Sequence, residues 1–201
     1  EIGAGFGNMT RHLKGADLLV ASDLDPVGIE YLKGVLREEP GVRVRSYRFP
    51  LDPAVRAEIC ALDLDTVVCL NVLEHIENDR QTLLDLHDVL KPGGRLVLLV
   101  PALQKLYGTL DVHLRHFRRY EKAELQGKLA EAKFVLEDCR FLNRPGVLGW
   151  WLNGKVLLRR VLPRGQLAAF KLLLPLLRRE EKNPPSTGMS LLAIARKPAS
   201  G

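Results

Sequence analysis

The sequence predicts an α/β fold with a mostly parallel sheet, and three apolar segments carry this prediction. Residues 18–22, 65–70 and 95–100 are short runs dominated by Val, Leu and Ala, which is typical of buried parallel strands. The intervening stretches are long enough for helices, and Gly or Pro marks the turns between them. Alternation of this kind predicts strand–helix–strand units in a single sheet.

A glycine-rich turn opens the chain. The first seven residues are E-I-G-A-G-F-G, which predicts the end of a strand followed by a tight turn and a helix. Glycine permits positive φ and lets a ligand approach the main chain. A dinucleotide-binding G-x-G-x-x-G motif counted from Gly3 would need a glycine at position 8, where Asn8 stands. The turn therefore either binds another ligand or connects strand and helix without one.

An acidic residue ends the second strand. Residues 18–22 lead into Asp23, twenty residues after the first glycine of the turn. Nucleotide-binding α/β units place a carboxylate there, because it accepts hydrogen bonds from both ribose hydroxyls. Asp25 precedes a proline and is predicted to cap a helix over 26–38. The third strand is predicted over 42–49.

The fourth predicted strand, at residues 65–70, is followed by the most distinctive pattern. After residues 65–70 the chain reads N-V-L-E-H at 71–75, and a helix is predicted to run on to Leu90. L-K-P-G-G at 90–94 ends that helix, because proline stops it and paired glycines turn the chain. Residues 95–100 form the next strand.

The order and spacing of these motifs resemble those of the class I S-adenosylmethionine-dependent methyltransferases. The resemblance rests on the glycine turn, D-L-D-P at 23–26, N-V-L-E-H and L-K-P-G-G, and covers roughly residues 1–145 and 187–198. It implies a Rossmann-like, mostly parallel sheet of seven strands with helices on both faces. The last strand is expected antiparallel, between the fifth and sixth. The first strand is expected to be truncated, because the chain opens at its last two residues.

The resemblance also implies methyltransferase activity with S-adenosyl-L-methionine as the cofactor. The glycine turn would hold the methionine end, Asp23 the ribose, and the start of N-V-L-E-H the cofactor edge. Asp52 lies where an acid can reach the adenine amine in the family, or it caps a helix that begins at Pro53. The predicted cofactor-binding residues are Glu1, Gly3, Ala4, Gly5, Gly7, Asp23, Leu24, Asp52, Asn71 and Val72.

The loop after the fifth strand is dense in functional side chains. It is predicted to face the acceptor, since ligands of open α/β sheets bind beyond the carboxyl ends of the strands. His116 is the predicted general base, because an imidazole gains and loses its proton near neutral pH. His113 is its competitor, and Tyr107 is predicted to orient the acceptor. In the alternative interpretation these side chains only hydrogen-bond the loop and extend to solvent.

The same loop adds information about the acceptor. H-F-R-R-Y-E-K-A-E-L at 116–125 resembles the loop-to-helix entry of quinone-biosynthesis O-methyltransferases and of methyltransferases encoded with glycosyltransferases. Tyr120 could also orient an acceptor, and Arg118 or Arg119 could pair with a phosphate or carboxylate. The resemblance implies a small-molecule or lipid- or glycan-linked acceptor that is methylated at oxygen.

No metal ion is predicted. Some O-methyltransferases and RNA-end methyltransferases carry E-x-x-E-H and bind a divalent metal, and Glu74 and His75 match the last two positions of that motif. Asn71 stands where the first glutamate would be, and an uncharged amide is a poorer ligand. Glu74 and His75 are instead expected to begin the helix and to close over the cofactor.

The remaining segments continue the alternation around an insertion. The predicted elements are a helix at 121–132 and strands at 135–141 and 190–195. Residues 146–182 are predicted to form short apolar helices edged by tryptophans and paired arginines, inserted into a single domain over 1–201. Through 146–180 the insertion would contact an anionic membrane peripherally, cover an apolar acceptor, form a dimer interface or pack on the sheet.

Composition fits a globular protein, with 46% hydrophobic and 27% charged residues and a net charge of +6. The basic surplus could face nucleic acid, anionic lipid or a phosphorylated substrate. Nucleic acid is disfavoured, because no N-P-P-[YFW] sequence follows the fourth strand.

Three widely spaced cysteines predict no disulfide framework. With no signal peptide or long apolar run, the predicted location is the cytoplasm, including the inner membrane face.

These observations predict an S-adenosylmethionine-dependent methyltransferase that acts on a small-molecule or lipid- or glycan-linked acceptor. Two alternatives belong to other classes. The first is an NAD(P)-dependent Rossmann oxidoreductase, against which the glycine spacing and N-V-L-E-H argue. The second is a catalytically silent, membrane-docked binding module. The oligomeric state is not indicated by the sequence.

Overall fold

The computed structural model describes residues 1–13, 15–163, 165 and 171–199. Its strands are β1 (Leu19–Ser22), β2 (Val42–Arg45), β3 (Leu64–Leu70), β4 (Leu90–Pro101), β5 (Val135–Leu142) and β6 (Ser190–Arg196). The α-helices are α1 (Pro26–Val35), α2 (Pro53–Cys60), α3 (Asp79–Val89), α4 (Thr109–His113), α5 (Lys122–Glu131), α6 (Arg144–Trp151) and α7 (Leu174–Lys182). Helices and strands alternate along the chain, which confirms the predicted α/β class.

The strands form a mixed arrangement in which two of the four strand pairs are parallel and two are antiparallel, so the sheet is less parallel than predicted. β1 pairs with β2 and β3 pairs with β4 in parallel. β6 lies between β4 and β5 and runs antiparallel to both. The larger sheet therefore has the order β3-β4-β6-β5, with the antiparallel last strand at the predicted place.

Ile2 occupies the position expected for the first strand. Its backbone forms isolated parallel bridges with Ser22 of β1 and Cys69 of β3, and its N–H donates to the carbonyl of Val68 at 2.9 Å. The described residues contain six strands in two sheets rather than the predicted seven strands in one. The reason is that this short segment makes single bridges and not a ladder, although it still joins β1 to β3.

The core lies around the central strands of the larger sheet. Its fully buried members include Leu96, Leu98 and Val100 of β4, Leu191, Ala193 and Ala195 of β6, and Leu83 and Leu86 of α3. Burial of one such leucine stabilises the fold by about 1.5–3 kcal/mol. α3 contacts both α2 and α5, so these helices form one layer over that core.

β2 ends four residues before its predicted end at Phe49. Its partner β1 stops at Ser22, which pairs with Arg45, so no strand remains for the following residues to join. Residues 46–49 consequently leave the sheet. Tyr47 and Phe49 then line a cavity beside the glycine turn.

β4 begins at Leu90, earlier than the predicted start at residue 95. Leu90 already pairs with Leu64 of β3. The N–H of Gly93 donates to the carbonyl of Lys197 at 3.0 Å, and the N–H of Lys197 donates to the carbonyl of Gly94 at 2.8 Å. The register nevertheless shifts between the Leu64–Leu90 and Thr66–Arg95 pairs, and Gly93 has a φ of 82°. The paired glycines therefore turn the chain as predicted, and the turn lies within β4 as an irregularity of the strand.

Aspartate caps begin two of the helices, in each case before a proline. The side chain of Asp25 accepts a hydrogen bond from Val27 N at 3.1 Å at the start of α1. The side chain of Asp52 accepts from Ala54 N at 2.9 Å at the start of α2. Both residues satisfy backbone donors that lack partners within the helix.

The predicted insertion contains α6, a π-helical turn over Leu152–Val156, a short 3-10 turn over Lys171–Leu173 and α7. Residues 164 and 166–170 of the predicted insertion lie outside the described residues. The division into one domain with an insertion stays a prediction. Among the helices that the structure describes, none combines the length and the apolar character needed to cross a bilayer.

Candidate active site

The glycine loop, defined here as residues 3–7, turns the chain away from the sheet. Gly3, Gly5 and Gly7 have φ values of 72°, 53° and 77°, which other residues rarely adopt. A Cβ at Gly3 would lie 2.2 Å from Cγ2 of Val72, so the loop lies directly against the N-V-L-E-H segment. A Cβ at Gly5 would meet no atom within 4 Å. The backbone at Gly5 is therefore open to a ligand.

Asp23 anchors the glycine loop to the end of β1. Its Oδ2 accepts a hydrogen bond from Gly5 N at 2.7 Å. Its Oδ1 accepts from Leu24 N at 2.7 Å and from Asp25 N at 2.9 Å. A carboxylate has about four lone-pair positions. Asp23 can therefore keep these three bonds and accept one more, as a ribose hydroxyl would require.

Glu1 supports the glycine loop from its other side. The buried hydroxyl of Thr10 donates to Oε2 of Glu1 at 2.5 Å. This bond fixes the first helical turn after the loop, at Thr10–His12. Glu1 thus shapes the loop, in addition to lining the cavity next to it.

Two neighbouring cavities share Ile2, Gly3 and Asn71 in their walls. The first has a volume of about 280 Å³ and is lined by the predicted residues Gly3, Asp23, Leu24, Asn71 and Val72. The second has a volume of about 380 Å³ and is lined by Glu1, Gly3, Ala4, Gly5 and Asn71. Small-molecule sites are typically about 300–1,000 Å³, so the two cavities together can hold a cofactor.

Two predicted cofactor residues lie outside both cavities. A Cβ at Gly7 would lie 2.8 Å from Cδ2 of Leu32, so this glycine allows the loop to pack against α1. Asp52 caps α2, which is the alternative that the sequence left open. Tyr47 and Phe49 line the first cavity instead. Aromatic residues at alternate positions just after β2 are the sequence signal that indicates them.

A second group of side chains surrounds the fully buried carboxylate of Asp111. Nδ1 of His116 and Nε of Arg119 lie 3.0 Å and 2.7 Å from its Oδ1. Its Oδ2 accepts from Trp150 Nε1 at 3.0 Å and from Gly108 N at 3.0 Å. Burial alone would raise the pKa of Asp111, but these partners lower it below the ordinary value. Asp111 is therefore an ionised anchor for the loop.

Glu74 lies close to this group and lacks a comparable set of donors. It is 1% exposed, and its Oε2 has no hydrogen-bond partner. Burial raises the pKa of its carboxyl group to about 7, against the opposing effect of nearby His116 and Arg119. Glu74 can therefore gain or lose a proton near neutral pH, which suits a group that handles protons.

His75 and His116 complete a cluster with Glu74. Their rings meet edge to face with centroids 4.7 Å apart, and burial, followed by the proximity of His116, lowers the pKa of His75. One ligand atom from each of the three residues lies within 4.8 Å of the others. Two imidazoles and a carboxylate could hold a divalent cation such as Zn²⁺. The expectation that no metal is used remains a prediction.

The other predicted catalytic residues have different positions. Tyr107 donates its hydroxyl to the backbone carbonyl of His116 at 2.7 Å, so it shapes the histidine loop. His113 is exposed at the end of α4 and does not belong to the cluster. His116 is thus the candidate that the fold brings to Glu74 and His75.

The loop arginines and Tyr120 have partners inside the protein rather than a free acceptor surface. Arg119 binds Asp111 as described above. Arg118 lies 2.8 Å from Oδ2 of Asp79, an atom that also accepts from the Tyr120 hydroxyl at 3.0 Å and from Lys128 Nζ at 2.6 Å. These contacts support the interpretation in which the polar side chains fix the loop.

Comparison with known proteins relates this geometry to a family. A model of the methyltransferase domain family matches residues 1–96. The glycine loop and the carboxylate anchor of Asp23 lie within this match. Residues 1–96 are thus similar to the methyltransferase domain family, and this match includes the glycine loop, Asp23 and the N-V-L-E-H segment.

Individual relatives are distant. The mitochondrial ubiquinone biosynthesis O-methyltransferase of Schizosaccharomyces pombe is 28% identical over 179 residues, covering 76% of this chain. The chain spans 64% of the length of that relative.

Two solved structures share the fold along almost the whole chain. The YcgJ protein of Bacillus subtilis has a TM-score of 0.62 at 16% identity and covers 100% of this chain and 91% of its own. An S-adenosylmethionine-dependent methyltransferase of Mesorhizobium loti has a TM-score of 0.60 at 16% identity, with coverages of 97% and 88%. Structural similarity at 16% identity establishes that this chain shares the fold of these two proteins.

The first testable prediction concerns Gly3→Ala. The new methyl group would overlap Val72, and alanine is strained at a φ of 72°. We expect a loss of about 2–4 kcal/mol in the free energy of unfolding, measured by urea denaturation. Gly34→Ala on α1 is the matched control, because its Cβ would meet no atom within 4 Å. Equal stability of the two variants would contradict the close contact.

The second prediction concerns Glu74→Gln. The unfolded carboxyl ionises near 4.5 and the folded one near 7, so Glu74 costs the folded state stability as the pH rises through this window. Glutamine does not ionise, so the variant does not lose stability in this way. We expect the variant to gain stability over the parent between pH 5 and pH 8, by on the order of 3 kcal/mol. Urea denaturation with a chelator present measures this, and a difference independent of pH would refute it.

Proposed function

We propose that the protein transfers a methyl group from S-adenosylmethionine to an oxygen of its acceptor, with His116 as the general base. The observation that carries the proposal is the position of His75. It lines the first cavity beside Gly3 and Asp23, and it also belongs to the cluster with Glu74 and His116. A cofactor site and a group of proton-accepting side chains therefore adjoin each other.

The described residues fit the cofactor. Gly5 has an open backbone, Asp23 retains acceptor capacity, and Leu24 and Phe49 contribute apolar walls to the first cavity. When bound, S-adenosylmethionine supplies a methyl group that its sulfonium has already activated and that leaves a neutral thioether behind. Asp23 would hold the ribose and the glycine loop the methionine end.

The chain's own residues provide the proton transfer. As the acceptor oxygen bonds to the methyl carbon, its O–H bond breaks and the proton passes to His116. Asp111 is ionised and accepts from the Nδ1–H of His116, which leaves Nε2 of that ring with its lone pair. Asp111 is thus a positioning residue. Glu74, with a pKa of about 7, can share the proton.

The acceptor belongs to the small-molecule or lipid- or glycan-linked class. Support comes from the loop that ends in H-F-R-R-Y-E-K-A-E-L and from the similarity to an enzyme named for O-methylation in ubiquinone biosynthesis. Arg119 binds Asp111 and Arg118 binds Asp79, so these two arginines are not free to bind the acceptor, and its recognition would rest largely on shape and apolar contact.

Titration with S-adenosylhomocysteine, the product form of the cofactor, tests the cofactor site. We expect Asp23→Ala to weaken binding by about 10- to 100-fold, because it removes a charged acceptor and frees the amide of Gly5. Isothermal calorimetry measures the affinity. Asp17→Ala, at an exposed position in the chain, is the matched control and should bind as the parent does.

Two further titrations, one of an Asp52→Ala variant and one with NAD, test the alternatives for Asp52 and for the cofactor. Asp52→Ala should cost about 1 kcal/mol of stability through the lost cap and leave the affinity unchanged. NAD should give no heat of binding. Binding of NAD, or a loss of affinity in Asp17→Ala equal to that in Asp23→Ala, would count against the methyltransferase site.

A methyl-transfer assay tests the base. Radiolabelled S-adenosylmethionine is incubated with phenolic and glycolipid acceptors, and product is counted in the organic and aqueous phases. We expect His116→Gln to lower the rate by about 10²–10⁴-fold, the usual contribution of a general base. Its affinity for S-adenosylhomocysteine should change little.

His12→Gln, at an exposed position after the glycine loop, is the control for a histidine replacement. His113→Gln tests the competing base. If His113→Gln abolishes transfer and His116→Gln does not, the assignment is reversed. If a chelator abolishes transfer in the unmodified protein, the cluster acts through a bound cation and His116 is not a simple base.

A further inference from the structure

An apolar and basic surface covers α6 and the residues after it, and it takes no part in the candidate active site. We call it the α6 surface. Its large apolar side chains are between 38% and 67% exposed: Leu148, Trp151, Leu152, Val156, Leu157, Leu158 and Val161. Single exposed apolar residues are ordinary, whereas a sequence of them over fourteen positions marks an interaction surface.

The charge of the protein is concentrated in the same region. The 40 residues from 140 to 179 contain nine Lys and Arg and no Asp or Glu. The rest of the chain contains 21 Lys and Arg against 24 Asp and Glu. The net charge of +6 therefore arises from this region alone. Lys155 and Arg160 are exposed among the apolar side chains of the α6 surface.

α7 extends the surface through a pair of hollows that meet at Arg144. One, of about 570 Å³, is lined by Arg144, Leu148 and Trp151, among others. The other, of about 420 Å³, includes Arg144, Leu176, Arg179 and the buried Glu180 in its wall. Apolar and cationic side chains therefore lie beside each other on both elements.

We infer that the α6 surface docks the protein on an anionic lipid bilayer. Leucine, valine and tryptophan side chains can enter the headgroup region, while lysine and arginine pair with lipid phosphates. A protein partner would usually meet a surface with exposed charges of both signs, whereas residues 140–179 contain only cations. The carboxylate of Glu180, at the end of this region, is buried and accepts hydrogen bonds from the backbone N–H groups of Asn143 and Arg144. The charge pattern and the exposed apolar run thus fit the same occupant.

The docking surface is attached rigidly to the candidate active site. From the opposite side of α6, Trp150 donates to Asp111, and the guanidinium of Arg119 lies 4.6 Å from the Trp150 ring centre. The hydroxyl of Thr109 lies 3.1 Å from the carbonyl oxygen of Gly154 in the π-helical turn. A protein docked through α6 would hold the His116 loop next to the bilayer, where a lipid-linked acceptor is found.

Vesicle binding tests this inference without any methyl transfer, so its outcome is independent of the proposed function. The two tryptophans of the chain, Trp150 and Trp151, both lie on α6, and their fluorescence reports on the surface. With vesicles of phosphatidylcholine and phosphatidylglycerol we expect cosedimentation and a blue shift. Phosphatidylcholine alone should bind much less.

Charge reversal at two exposed positions should be decisive. Lys155→Glu with Arg160→Glu is expected to lower the partition onto anionic vesicles by about 25-fold or more, since each cation contributes about fivefold. Leu148→Glu should abolish the fluorescence shift. Val27→Glu with Val35→Glu, at exposed positions of α1, is the matched control and should bind normally.

Three results would overturn the inference. The first is no binding of the unmodified protein to anionic vesicles. The second is an equal loss of binding in the α1 control. The third is a dimer, seen by light scattering after size exclusion, that Leu148→Glu dissociates and that does not bind vesicles, in which case the surface joins two copies of the chain.

Discussion

The buried carboxylate of Asp111 is the interaction on which the rest of the site depends. Removal of an ionised carboxylate from water costs several kcal/mol unless other donors replace its hydration. Four donors do so here, from Gly108, His116, Arg119 and Trp150. They come from the start of α4, from the loop after it and from α6. One side chain thereby holds the histidine loop and the first helix of the insertion in a fixed relation.

Much of the cofactor side was predictable from the sequence, because its information is local. Positive φ at Gly3 and Gly5, and an acid at the end of β1, are properties of residues in short motifs. The place of β6 followed from the family that those motifs indicate. Asp52 shows the limit of such reasoning, since an acid before a proline satisfies the pattern of a helix cap as well as that of an adenine contact.

The acceptor side was less predictable, because its contacts join residues that are far apart in the sequence. Glu74 and His116 meet through the packing of two loops, and no periodicity relates them. The pattern of R-R-Y suggested free functional groups, but Arg118, Arg119 and Tyr120 have buried carboxylates as partners. A charged side chain in a loop is equally suited to binding a ligand and to neutralising a buried acid. Only the fold distinguishes these roles.

The central position of β6 has a consequence for synthesis on the ribosome. β6 separates β4 from β5 and provides the hydrogen-bond partners of both, and its residues pair with positions about 100 residues earlier, such as Arg196 with Arg95. Until Arg196 has left the exit tunnel, β4 and β5 have open edges, and open strand edges promote aggregation. Completion of the larger sheet is therefore a late, high-contact-order event. A nascent chain that stalls within the insertion would be a natural client for chaperones.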